Sequence, residues 1–120
     1  MIIQFKIFEK VTNKDLTMDK YVVLDFYESD VTEAPPQLVN YVQSNVGKIV
    51  NTIKSGGEVV VRFDNVVNNL LNLAREFNKY GITADGKYLY VKSVEANEIK
   101  YIGDNKEELE IKLNADKYNL

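Results

Sequence analysis

The chain has 120 residues, 45% of them hydrophobic and 28% charged, the proportions of an ordinary globular protein, so disordered, collagen-like and membrane-embedded classes are excluded. Fifteen basic against eighteen acidic residues leave a formal charge of −3, which disfavours broad electrostatic binding to nucleic acid or anionic lipid unless the basic groups cluster. With no cysteine and no histidine, disulfides, thiolate nucleophiles, imidazole bases and the usual zinc ligands are all excluded.

One domain spanning residues 1–120 is expected, with no interdomain linker, repeat or low-complexity segment. Ile3, Phe5 and Ile7 alternate with polar residues, the period of a strand with one buried face and not of a signal peptide. Residues 12–19 are polar and turn-like. Tyr21 to Tyr27 then predicts a second strand, with Val22, Leu24 and Phe26 on one face, paired to the first as a hairpin.

Ala34-Pro35-Pro36 predicts a helix start. Leu38, Val42, Val46, Ile49, Val50 and Ile53 fall on one stripe at 100° per residue, so the expected helix is long and stops at Ser55-Gly56-Gly57. Val59 to Val61 and Phe63 predict a central strand covered on both faces, and Asp64 or Asn65 a cap for the next element. Val66, Val67, Leu70, Leu71, Ala74 and Phe77 form the stripe of a second helix, ended by Gly81.

Asp85-Gly86 reads as a turn, and Lys87 to Val94 with Glu98 to Gly103 as a hairpin about Ala96-Asn97. The register that avoids setting Lys92 against Lys100 places Lys92 opposite Tyr101 and Val91 opposite Ile102. Leu109, Ile111 and Leu113 suggest a last strand, although Lys106-Glu107-Glu108 would also suit a short helix. The fold class is α/β tending to α+β: one mixed sheet of five to six strands with two amphipathic helices, in the order ββαβαβββ, its helices acting as crossovers between parallel neighbours.

Carboxylate chemistry is what composition leaves open. Asp25, Glu28, Asp30 and Glu33 form the densest acidic run, a group that a magnesium-dependent nuclease or phosphoesterase could use, or that simply lies before a helix amino end. Gly56-Gly57 precedes a strand and so is no phosphate loop. Arg62 and Asp64 flank Phe63 at the end of the central strand, where open sheets bind ligands, and also suit a simple ion pair with a helix cap.

The stronger expectation is a binding surface. In the expected hairpin Tyr88, Tyr90, Lys92 and Tyr101 share one face, with Val94 and Ile99 nearer its turn, while Leu89, Val91 and Ile102 face the core. Such a face anchors protein interfaces, can stack single-stranded bases, or can itself be covered by helices. Asn40, Gln43 and Asn51 mark an amide face opposite the stripe of the first helix. It carries little charge and suits contact with another protein surface, a homodimer above all.

No motif points to a family. The absence of cysteine and of a signal-peptide pattern predicts a cytoplasmic protein. In general character, short, rich in asparagine, lysine and tyrosine, the chain is similar to small proteins of viruses and mobile elements, which often bind and block a larger host machine. A non-enzymatic binding protein without cofactor is therefore expected; the metal-dependent nuclease and the single-strand nucleic-acid binder are the alternatives.

Overall fold

The computed structural model describes residues 11–27, 30–53 and 57–118. The strand expected at Ile3 to Ile7 and the Ser55-Gly56 helix stop lie outside these residues. Six strands form one sheet: β1 (Tyr21–Leu24), β2 (Gly47–Ile53), β3 (Glu58–Phe63), β4 (Ile82–Asp85), β5 (Tyr88–Val94) and β6 (Ile99–Gly103). Three helices accompany them: α1 (Pro36–Ser44), α2 (Asn68–Glu76) and α3 (Lys106–Tyr118).

The class is α+β, as expected, but every pairing is antiparallel and the lateral order is β4-β5-β3-β2-β1-β6. No helix is a crossover between parallel neighbours. The expected crossover fails because the first helix is half its predicted length. It ends at Ser44, where the Asn45 amide donates to the Tyr41 carbonyl at 2.9 Å, and the chain turns into β2. Val46, Ile49, Val50, Thr52 and Ile53 are β-branched, stiff at χ1 and better packed on a pleated surface than in a helix. Their spacing satisfied a helical stripe by coincidence. Within α1 the predicted Leu38 and Val42 are fully buried.

β3 lies inside the sheet as predicted, with Val59, Val61 and Phe63 buried. Its other face, Val60 and Arg62, is only half-buried, so one face alone is deeply covered. The expected pairing of β5 with β6 does not form. β5 lies between β3 and β4, and β6 pairs with β1, with Ile102 opposite Val22 and Tyr101 opposite Val23. Ala96–Glu98 forms a 3-10 turn in place of the two-residue loop, closed by the Glu95 N–H donating to Glu98 Oε1 at 3.0 Å. Asp85-Gly86 is a turn as read, but of a β4–β5 hairpin, with Gly86 at φ 63°.

One extra residue on β2 (Val50), one on β6 (Lys100) and one on β5 between Val91 and Val94 interrupt the ladders. Such bulges bend strands and increase twist. The β5 bulge turns Val94 inward and the β6 bulge does the same for Ile99, so both join the core and leave the tyrosine face.

The main core lies between the inner face of the sheet and α1 with α2; Leu71 and Ala74 of α2 are buried there. Asp64 and Asn65 do not cap α2. Val67 stands at that position without a side-chain bond, and Asn65 turns the chain at φ 59°, a left-handed conformation that asparagine tolerates. α2 ends at Glu76, short of the expected end at Gly81, which instead closes the following 3-10 turn Asn78–Tyr80 at φ 85°.

α3 covers the outer face of β1 and β6, where Leu109 packs on Val23 and Val46 beside Tyr21 and Tyr101. The segment read first as a strand is this helix. Asn105 Oδ1 accepts the Glu107 and Glu108 N–H groups at 2.8 and 3.3 Å, and Glu107 and Glu108 sit in the first turn, where the helix dipole favours acids. Leu109 and Leu113 are one turn apart on the packed side; Ile111 is 68% exposed. Among the described residues no helix is long and apolar enough to cross a membrane.

At Gly47 on β2 the side chains of β3 leave no room for a Cβ. A Cβ there would lie 2.5 Å from Val61 Cγ1 and 2.9 Å from Phe63 Cζ, both fully buried. Gly47→Ala is therefore expected to destabilise the fold by about 1–3 kcal/mol, an overpacking cost. Urea unfolding checks this, and a midpoint equal to that of the wild type would show that the core yields.

Candidate functional site

The strand registers place five outward side chains in a row across the sheet: Thr83, Tyr90, Arg62, Lys48 and Tyr21, each opposite the next on the neighbouring strand. Tyr88 stands beside this row on β5. Its ring lies 6.4 Å from that of Tyr90 in an edge-to-face arrangement, and the Arg62 guanidinium sits 4.7 Å from the Tyr88 centroid. At the other end of the row Lys48 Nζ lies 5.7 Å from the Tyr21 ring. Cations over tyrosine faces hold one another in place while leaving ring edges and charge available.

α3 packs on β1 and β6, so among the described residues no helix lies over the outward side chains of β3, β5 and β4. Tyr88 is 40% exposed, Tyr90 half-buried and Lys92 exposed, all on this outer face as the sequence suggested. Tyr101 is on the same face but belongs to a different environment. α3 covers it, and its hydroxyl donates to Asp116 at 3.0 to 3.1 Å.

Two shallow clefts border the row. One, of about 300 Å³, is lined by Tyr21, Tyr41, Lys48, Arg62, Lys106 and Glu110, among others, where the end of α1 approaches the start of α3. The second, of about 330 Å³, lies between Tyr88, Lys87 and the start of α2. Asp64 and Asn65 line both. Asp64 holds Arg62 through Oδ1 to Nε at 2.8 Å and Oδ2 to Nη2 at 3.4 Å, the ion pair anticipated from sequence. Burial raises the pKa of the Tyr41 hydroxyl above the ordinary tyrosine value, with the Asp64 charge adding to it, so Tyr41 presents a neutral O–H.

The other sequence candidates are dispersed. Asn40 is exposed on α1, but Asn51 lies on β2, where its Oδ1 accepts from the Thr52 N–H; they share no helix face. Gln43 is spent inside the fold, its Oε1 accepting the Phe26 N–H at 2.7 Å. In the acidic run, Asp25 accepts a hydrogen bond from the Tyr27 hydroxyl at 2.8 Å and Glu33 is exposed on the 3-10 turn Asp30–Glu33. Glu28 and the side chain of Asp30 lie outside the described residues. Among the described residues no three Asp or Glu side chains gather as a metal site would need.

Sequence reasoning found Arg62, Asp64, Tyr88, Tyr90 and Lys92, and missed Tyr21, Lys48 and Lys106. Lys48 was hidden by its placement on a helix, and Lys106 by the strand reading of its segment. No known family model, curated protein or solved structure matches the chain.

Tyr101 and Lys100 provide a pH test of how α3 is held. Burial, then the hydrogen bond to Asp116, raises the Tyr101 pKa; the bond of Lys100 to Asp116, at 2.9 Å, raises that of Lys100. Both folded-state values exceed the unfolded ones, so the stabilisation is complete below the ordinary tyrosine and lysine range and is lost as pH rises through the raised values. Stability is expected to fall in that alkaline window. Asp116→Asn should flatten the fall, by less than about 1 kcal/mol because these side chains are largely screened by water. Urea midpoints across the window check it; an unchanged slope in the variant would remove Asp116 from this role.

Proposed function

We propose that the protein is a non-enzymatic binding protein that recognises a protein partner through the outer face of β3, β5 and β4. One observation carries the reading: the row of Tyr90, Arg62, Lys48 and Tyr21 across the sheet, with Tyr88 stacked on Arg62 and no described helix over its β3–β5–β4 side. Tyrosine and arginine dominate the energetics of protein interfaces, because they bury large areas while keeping a polar end for hydrogen bonding. The Arg62–Asp64 pair and the Tyr88–Tyr90 contact hold these groups before a partner arrives, which lowers the ordering cost of binding.

A chain without histidine or cysteine agrees with recognition as its task. The partner is a larger protein of the cell in which the chain is made, or a second copy of the chain. A small intracellular protein of a virus or mobile element, occupying a host machine, is the setting we favour.

The test is capture from a lysate of the cells that produce the protein in nature, with wild-type and Tyr88→Ala/Tyr90→Ala baits, paired with sedimentation velocity of both. Partner retention, or the fraction of dimer, is expected to drop at least about tenfold in the double variant, since each truncated anchor costs on the order of 1–2 kcal/mol. The melting temperature should change little, because Tyr88 is exposed and Tyr90 only half-buried. A monomer whose captured proteins are the same for both baits would overturn the reading.

A further inference from the structure

In the middle of the row two cations are directly opposed. Lys48 on β2 faces Arg62 on β3, both half-buried, with side chains 32% and 27% exposed, and both line the cleft between α1 and α3. Like charges opposite one another on adjacent strands destabilise a sheet. Internal compensation is incomplete. Asp64 takes Nε and Nη2 of Arg62, leaving the Nη1 protons. Among the described residues Lys48 has one ion pair, with Asp19 at 3.7 Å, beside its contact with the Tyr21 ring, and Lys106 on the far wall makes none. Three cations thus converge on one cleft in a chain whose formal charge is −3.

We infer that this cleft is the anchoring subsite of the recognition face and takes a carboxylate from an acidic segment of the partner protein. The inference rests on the function proposed above and adds the chemistry of the partner. The carboxylate sits between Lys48, Lys106 and the free Nη1 of Arg62, and the segment continues across the sheet over Tyr90 and Tyr88. One incoming carboxylate relieves the opposition of Lys48 and Arg62 and gains charge-assisted hydrogen bonds.

An acidic peptide fits better than a nucleic acid. Asp64 and Glu110 stand in the same cleft and Asp85 lies across from Tyr88, so the positive potential is local. A phosphate chain needs a basic stripe along its length, whereas a single carboxylate needs only the cleft. Tyr41, held neutral by burial, adds a hydroxyl donor on the cleft wall.

The experiment measures binding of labelled octaglutamate, octalysine and an eight-nucleotide oligothymidine by fluorescence anisotropy at low and moderate salt. Octaglutamate is expected to bind, octalysine not, and oligothymidine more weakly than octaglutamate. Lys48→Gln and Lys106→Gln should each weaken octaglutamate about tenfold, the worth of one charge-assisted contact. Lys48→Gln should keep or raise the melting temperature, because it removes the opposed charge. Lys106→Gln, on the exposed first turn of α3, repeats the test without touching the sheet.

No octaglutamate binding at millimolar concentration, or binding indifferent to both substitutions, overturns the subsite. Tighter binding of oligothymidine overturns the acidic-peptide assignment in favour of nucleic acid. In the lysate capture, a partner lost by Tyr88→Ala/Tyr90→Ala but kept by Lys48→Gln/Lys106→Gln removes the subsite and leaves the recognition face. A partner kept by both variants removes the face as well.

Discussion

The short connection from β5 to β6 is the constraint on which the molecule's shape depends. On a flat sheet these strands, four places apart, would be separated by roughly 19 Å at about 4.8 Å per step. The five steps from Val94 to Ile99 reach at most about 18 Å when fully extended, and here they are shortened by a 3-10 turn. The sheet must therefore coil until the end of β5 and the start of β6 approach each other. Val94 and Ile99 meet in the same core, and the Glu98 carbonyl accepts the Asp25 N–H at 2.8 Å, tying the connection to the chain just beyond β1. The bulges at Val50, on β5 and at Lys100 supply the bend.

Coiling explains how one small sheet carries three different surfaces. Its concave face closes around the valines and Phe63 of β3 and is completed by α1 and α2. On its outer face α3 packs on β1 and β6, and among the described residues no helix lies over β3, β5 and β4. Among the described residues the edge of the α3 cover falls at Lys48 and Tyr21, where the cleft lies. Fold and site therefore share a cause: the cleft exists because α3 ends its coverage where the row of cations begins.

Buried positions were legible in the sequence wherever local pattern and tertiary environment agreed. Val22 and Leu24, Leu38 and Val42, Leu71 and Ala74, and Leu89 and Val91 face the core as their periodicity predicts, and Val59, Val61 and Phe63 do so from a run expected to be covered on both faces. Residues 46–53 misled because a β-branched run can satisfy both a helical stripe and a strand, and the pairing with β1 and β3 that makes it a strand is a long-range property. The pairing of β5 and β6 misled because adjacency in sequence is a good guide to adjacency in a sheet only when the loop turns back, and the Glu95–Glu98 turn goes across. The tyrosine face survived this error. Side-chain alternation along β5 is the same whichever strand lies beside it, so Tyr88 and Tyr90 point outward in either topology.

The acidic remainder of the protein bears on specificity as much as the cations do. A uniformly basic face would attract any polyanion, and its affinity would follow phosphate number more than sequence. Here the net charge of −3 adds no long-range attraction for polyanions, so the proposed selectivity rests on contact-range bonds from Lys48, Arg62 and Lys106 to a carboxylate. Asp64 has a part in both effects. It fixes Arg62 in the fork geometry that a carboxylate can share, and it places a negative charge beside the cleft that a second anionic group must avoid. If the proposed partner binds there, the opposition of Lys48 and Arg62 in the free protein becomes part of the discrimination, because only a partner carrying a carboxylate at that place relieves it.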